Sequence, residues 1–318
     1  MTKAKYRARL PQMSDKVFLT DGGMETTFIF HDGLDLPLFM AFPLLDEPRG
    51  HTHIRDYYKR YARMAADAGL GFVLESPTWR ANRDWAARIG WSAKQLTEVN
   101  RKAIDLLLEV RNEFESLASP MPISGNIGPR GDGYVPGQLM NVAEAEDYHG
   151  EQIATFYDTA ADMVSAFTLN YVEEAIGVAR AAKAAKMPVV ISFTVETDGR
   201  LPTGQSLREA IEQTDMETGA APAYYMLNCA HPTHFDKEIA KGGLWMKRLR
   251  GLRANASCRS HAELEQATEL DIGDPVDLGR RYVELRRKLP HINVLGGCCG
   301  TDHRHVEQIC FACTAVAA

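Results

Sequence analysis

Residues 162–195 read DMVSAFTLNYVEEAIGVARAAKAAKMPVVISFTV, and this stretch sets the fold class. Asp162–Thr168 and Val189–Val195 are brief apolar runs, as strands buried on both faces should be. Between them Val172–Ala185 has helical spacing. Strand, helix, strand in that order is the unit of a parallel sheet with a crossover helix.

The same unit recurs in both directions. Further strand candidates are Val17–Thr20, Phe72–Glu75, Pro122–Asn126, Tyr224–Asn228, Arg250–Ala254 and Ile292–Leu295. The helical segments are His51–Ala68, Thr97–Leu117, Glu144–Thr159, Ser206–Thr214, Pro232–Ala240, Val276–Lys288 and Asp302–Ala315. Strand and helix alternate eight times along 318 residues, the count of a (β/α)8 TIM-type barrel. The expectation is a single α/β domain over 15–318 with elaborated βα loops, preceded by a frayed basic tail over 1–14. An open doubly wound sheet competes, but neither an early GxGxxG nor a GxxxxGK[ST] supports it.

Composition narrows the function classes. Hydrophobic residues make up 45% and charged residues 25%, which excludes a disordered, collagen-like or disulfide-dense chain. A net charge of −6 argues against nucleic acid or an anionic membrane surface as partner. No apolar run is long enough to span a bilayer, and the N-terminus lacks the apolar region of a secretory signal. The expected compartment is therefore a reducing cytoplasm. There, six cysteines read as metal ligands, catalysts or core residues before disulfides.

In a parallel barrel the site forms where strands end. The predicted ends carry Asp21-Gly22-Gly23, Glu75-Ser76-Pro77-Thr78-Trp79, Gly125-Asn126-Ile127-Gly128-Pro129, Asn228-Cys229 and Gly296-Gly297-Cys298-Cys299-Gly300. Three thiols converging at one barrel mouth suit zinc, with the fourth tetrahedral position open. Cys298 and Cys299 can share an ion only off the regular strand, because neighbours on a strand point to opposite faces. Plain burial stays open for each, since free cysteine is among the most buried residue types. Cys310 and Cys313 lie within a helix and read as packing, His303 and His305 as a first helical turn, and Cys258 has no assigned role.

Asp21-Gly22-Gly23-Met24-Glu25-Thr26, Asn228-Cys229 and Gly296-Gly297-Cys298-Cys299-Gly300-Thr301 resemble the zinc-dependent homocysteine S-methyltransferase family, with matching order and spacing from about residue 15 to 312. Gly125-Asn126-Ile127-Gly128-Pro129 is similar to that family's third-strand motif. The resemblance implies a barrel whose zinc is held by Cys229, Cys298 and Cys299. It implies methyl transfer from a small onium donor (betaine, a dimethylsulfonium compound, S-methylmethionine or S-adenosylmethionine) to the thiol of homocysteine, giving methionine. Asp21 would contact the substrate amine, and backbone amides near Gly22 and Gly23 its carboxylate. Thr26, Trp79, Asn126, Phe167, Thr168 and Asn228 complete the expected substrate contacts.

The chain also departs from the family. Phe167 stands where the family has an amine-binding glutamate, with Thr168, Glu75 or Glu196 as replacements, and Asn126 stands for a serine. A different thiol acceptor, or a corrinoid or folate carrier, remains an alternative, as does a zinc-binding barrel without activity. Aromatic candidates for the onium are Trp79, Phe42, Tyr134 and Phe167. A homo-oligomer is left open.

Overall fold

A computed structural model describes residues 3–315 of the chain. Its strands are β1 (Phe18–Leu19), β2 (Gly71–Phe72), β3 (Leu74–Glu75), β4 (Ile123–Ile127), β5 (Met163–Leu169), β6 (Val189–Phe193), β7 (Tyr224–Asn228), β8 (Leu249–Ala254) and β9 (Val294–Gly297). All neighbours pair in parallel, in the order β2-β1-β9-β8-β7-β6-β5-β4-β3. Since β2 and β3 are two pieces of one strand on either side of Val73, the ends of that order meet. The result is the expected TIM-type α/β barrel.

The helices are α1 (Met24–Thr26), α2 (Pro48–Asp67), α3 (Arg83–Arg88), α4 (Ala93–Phe114), α5 (Val142–Tyr157), α6 (Val172–Ala184), α7 (Leu207–Thr218), α8 (Pro232–Ala240), α9 (His261–Glu265), α10 (Pro275–Lys288) and α11 (His303–Ala315). Local chemistry fixes their starts. Ser92, Asn141 and Ser206 close capping boxes with Gln95, Glu144 and Glu209 at the heads of α4, α5 and α7, satisfying amides that have no partner inside the helix. Asp274 caps α10 ahead of Pro275, whose missing N–H costs nothing there. No helix among the described residues is long and apolar enough to cross a membrane.

Two apolar layers result. The larger packs helices on the outside of the sheet; the smaller fills the barrel, with Leu10, Phe18, Val73, Met163, Phe167, Val190, Tyr224, Met226 and Val294 in contact. Leu10 in that list corrects the expectation of a frayed tail. The N-terminal segment closes the barrel floor. Gln12 is fully buried and donates to the Tyr224 hydroxyl at 3.3 Å. The Asn293 amide donates to the carbonyls of Gln12, Ser14 and Lys16 at 3.0, 2.8 and 2.7 Å. Basic character had suggested solvent, but Arg7 and Tyr6 use their polar ends on the Ala161 carbonyl and Glu115.

The floor is organised by one carboxylate. Asp162 is wholly buried beside Arg111 at 2.9 Å and also accepts from the backbone amides of Ile123 (2.9 Å) and Tyr6 (2.6 Å). Truncating one member of a buried ion pair strands the other charge, at a cost of about 3–5 kcal/mol. Asp162→Ala should lower the unfolding free energy by about that amount, measured by urea denaturation. A change under ~1 kcal/mol would show that the network does not hold the floor.

Candidate active site

At the opposite end, the strand termini enclose a cavity of about 620 Å3, open solvent at its mouth included. All of Asp21, Gly22, Gly23, Thr26, Trp79, Asn126, Phe167, Thr168, Asn228, Cys229, Cys298 and Cys299 line it. Of the other aromatic candidates Tyr134 lines it too, whereas Phe42 is buried against Trp91, ring centroids 5.2 Å apart. Glu75 reaches the cavity; Glu196 does not, and pairs with His261 at 3.2 Å.

The cysteines are gathered by backbone that leaves the regular strand. Cys229 follows β7 with φ 54°, and Gly300 turns the chain after Cys298-Cys299 with φ 78°. The three sulfurs lie within 4.8 Å of one another. Those of Cys229 and Cys298, 69 residues apart in sequence, are joined in a disulfide, where thiols were expected; Cys299 is a free thiol. Gly23 lets the first loop press against this turn: a side chain there would meet the Cys298 carbonyl at 2.5 Å, so only glycine fits.

Asn228 connects the cluster to the barrel. Its amide oxygen accepts from the Thr168 amide at 2.8 Å and the Ser192 hydroxyl at 2.7 Å. Its amide nitrogen donates to Thr168 Oγ1 at 2.8 Å and towards Cys229 Sγ at 3.3 Å. Thr168 meets it from a bulge in β5, at φ 61°. Thr26 Oγ1 accepts from the Gly300 amide at 3.2 Å, and Gly23 N–H donates to the Thr301 carbonyl at 3.0 Å. Thus Asn228, Thr168, Thr26 and Gly23, read from the sequence as substrate contacts, use polar groups to shape the cysteine loops.

Asp21 has a protein partner that the sequence reading missed. Arg253, near the end of β8, stands 2.8 Å from its Oδ1, and Tyr57 donates to its Oδ2 at 3.1 Å. The Arg253 guanidinium also donates to the carbonyls of Gly297 and Gly22, both at 3.0 Å, and sits 5.2 Å from the Phe167 ring centroid. Burial opposes charge on Arg253, but Asp21 and Glu75 outweigh it and its pKa rises. One signal was available: the predicted strand Arg250–Ala254 carries two arginines, and Arg253 is the one near its C-terminal end.

Burial dominates the remaining ionisable groups. It pushes Cys299 up to about 11, against a lowering hydrogen bond from Tyr134, whose oxygen is 3.7 Å from Sγ. It raises Glu25 and Glu75 to about 7 each. A thiol so placed stays protonated at neutral pH unless a cation stabilises its thiolate. Three such sulfurs, with an amide N–H aimed at them, fit a thiophilic divalent ion once the joined pair is reduced. His305, by contrast, is engaged by Asp302 and the Ile272 carbonyl, and Cys310 and Cys313 are buried in α11.

An outer chamber of about 1200 Å3 leads inward past Phe39, Trp79, Tyr134 and Cys299, with Asp132, Glu265, Glu269 and Asp271 around it.

The solved structure of the oxidised form of the Escherichia coli homocysteine methyltransferase MmuM matches with a TM-score of 0.72 at 18% identity, over 93% of this chain and 95% of that one. Its metallated form matches at 0.70 and 18%, over 94% and 96%. At such identity the likeness speaks for the fold. The family model described as homocysteine S-methyltransferase matches residues 18–313, nearly the whole barrel. The chain belongs to the homocysteine S-methyltransferase family and is a methyltransferase.

Proposed function

We propose that the protein is a zinc-dependent S-methyltransferase that moves a methyl group from a small onium donor to the thiol of homocysteine, giving methionine. The observation that carries this is the convergence of Cys229, Cys298 and Cys299 on the floor of an aromatic-walled cavity. These three would hold the zinc. When bound, the metal supplies an acceptor sulfur kept as its thiolate at neutral pH.

The chain's own residues do the rest. Asn228 steadies the sulfur cluster through its N–H. Trp79, Tyr134 and Phe39 line the cavity, and a sulfonium or quaternary ammonium would meet the ring faces left free by Arg80, which stacks on Trp79 at 4.9 Å, and by His261, 4.2 Å from Tyr134. The acidic rim of the outer chamber attracts a cationic donor. In the transfer, the acceptor S–CH3 bond forms as the donor's onium C–S or C–N bond breaks. The bonding pair leaves with the now neutral donor, and no base need touch the methyl group. Because the Cys229–Cys298 pair must be reduced to bind metal, the reading also calls for a reducing compartment.

A second reading keeps this chemistry and changes the thiol. It is favoured by the pairing of Asp21 with Arg253 and by Phe167, which leave neither position free to hold an amine.

Reduced protein should bind one zinc ion per chain, measured by metal analysis after gel filtration. Cys298→Ser should lose both metal and methyl transfer, whereas Cys310→Ser should keep them. Retention of both by Cys298→Ser would sink the proposed site. Trp79→Ala should raise the donor KM by roughly 3- to 30-fold, the range of a desolvated cation–π contact, and leave the acceptor KM within about twofold. Equal effects on both substrates would remove Trp79 from the donor wall.

A further inference from the structure

The outer chamber is lined by one guanidinium, and most of its hydrogen-bonding capacity is unused. Arg80 lies in the wall beside Trp79, its guanidinium carbon 4.9 Å from the Trp79 ring centroid and 3.8 Å from that of Trp85. Nη1 donates to the Leu38 carbonyl at 2.6 Å. Nε and Nη2 make no hydrogen bond, yet neither is sealed inside the protein. Asp132, its ion-pair partner, stands 3.6 Å from Nη2, too far for a hydrogen bond. The Asp132 Oδ1 instead accepts from the Tyr134 and Val135 amides at 2.8 and 3.1 Å.

Stacking against two indoles fixes the plane of the guanidinium and leaves its N–H groups at the edges, where a carboxylate can accept two of them. The other charged groups of the chamber do not offer this. His261 is held between Glu196 and the Cys229 carbonyl, Asp271 accepts from the Ser257 hydroxyl at 2.7 Å, and Glu265 and Glu269 are exposed anions. The layout of the two cavities says which molecule carries the carboxylate. Phe39, Trp79, Tyr134 and Cys299 line both, so they form the passage between them. An acceptor sulfur seated at the cysteines lies on the inner side. A donor that presents its methyl group there sends its other substituents outward, into the chamber that Arg80 lines.

We propose that Arg80 anchors the methyl donor by a carboxylate, the donor being an onium carboxylate whose cation lies in the aromatic passage and whose carboxylate accepts from Nε and Nη2. This rests on the methyl-transfer reading of the cavity. Arg80 thereby sets specificity: an onium ion without a carboxylate meets the passage alone. Asp132 partly neutralises the same Nη2 and so acts against the donor carboxylate. The acidic rim and Arg80 then serve the two ends of one zwitterion, the rim drawing in the cation and the guanidinium fixing the anion.

The test compares onium compounds with and without the carboxylate. Reduced, zinc-loaded protein would be titrated calorimetrically with betaine, dimethylsulfoniopropionate and S-methylmethionine, and with tetramethylammonium and trimethylsulfonium as carboxylate-free counterparts. In the wild type at least one carboxylate-bearing compound should bind more tightly than its counterpart; if none does, the proposal is wrong. Arg80→Gln should weaken that compound by roughly 10- to 100-fold, as for a hydrogen bond between charged groups, and leave its counterpart within about twofold. Equal weakening of both would mean that Arg80 only braces the indoles, and overturns the proposal. Asp132→Asn keeps the Oδ1 acceptor and the stacked guanidinium, so it tests the same point without disturbing the wall. It should tighten the carboxylate-bearing compound by about 2- to 5-fold, the range of a partly exposed ion pair, and not its counterpart; unchanged affinity there also overturns the proposal. Protein that shows this Arg80 dependence but transfers no methyl group would refute the function and leave the carboxylate anchor standing. Methyl transfer without it would do the reverse.

Discussion

The guanidinium of Arg253 holds together the strand ends from which the site is made. It reaches Asp21 and Gly22 after β1, the Gly297 carbonyl at the end of β9, and the Phe167 ring in β5. Each contact fixes a segment that carries or adjoins a cysteine or a cavity wall. Its geometry is suited to this: a planar fork with five donors can bind several acceptors at once, which a lysine cannot. The pair with Asp21 does not have to stabilise the fold to matter. A buried ion pair often contributes little net stability, yet removing one partner leaves an uncompensated charge. Its role is positional.

Strain at the mouth follows from that demand. Cys229 and Thr168 both adopt left-handed backbone, at φ 54° and 61°, conformations that cost residues other than glycine about 1–3 kcal/mol each. The Asn228 side chain lies between them and bonds to both, so one amide sustains two unfavourable conformations. The β5 bulge that carries Thr168 also turns the chain directly after Phe167. Left-handed backbone also occurs away from the cavity, at Lys186 and Ala220, but at the mouth it aims sulfurs and cavity walls. The lower barrel, sealed by the N-terminal segment, supplies the rigidity.

Much of this was legible in the sequence. Eight alternations of apolar run and helical segment gave the barrel, and the strand ends gave every cysteine of the cluster. Buried strands and capped helices write themselves into local periodicity, so these readings needed no knowledge of distant partners. The misreadings share a physical cause. The N-terminal segment appeared frayed because its basic residues say nothing of the carbonyls and carboxylates that receive them across the barrel floor. Arg253 was passed over because its meaning depends on Asp21, brought alongside only by closure of the sheet. Asn228 and Thr168 were correctly placed at the cavity but take their polar contacts from each other and the sulfurs. Spacing locates a residue in the barrel; it does not say whether a neighbour has already occupied its donors and acceptors.

Charge balance in the cavity bears on the proposed chemistry. Three thiolates around a divalent ion carry a net charge of −1, and Asp21 and Arg253 cancel. An onium donor enters as a cation and leaves neutral, so positive charge on the donor falls along the reaction path. Fixed anions near it therefore favour the bound donor over the transition state, and strong anionic binding would raise the barrier. Aromatic faces hold such a cation with a weaker, more diffuse field. The arrangement suits a site that must capture a cation and then let its charge disappear.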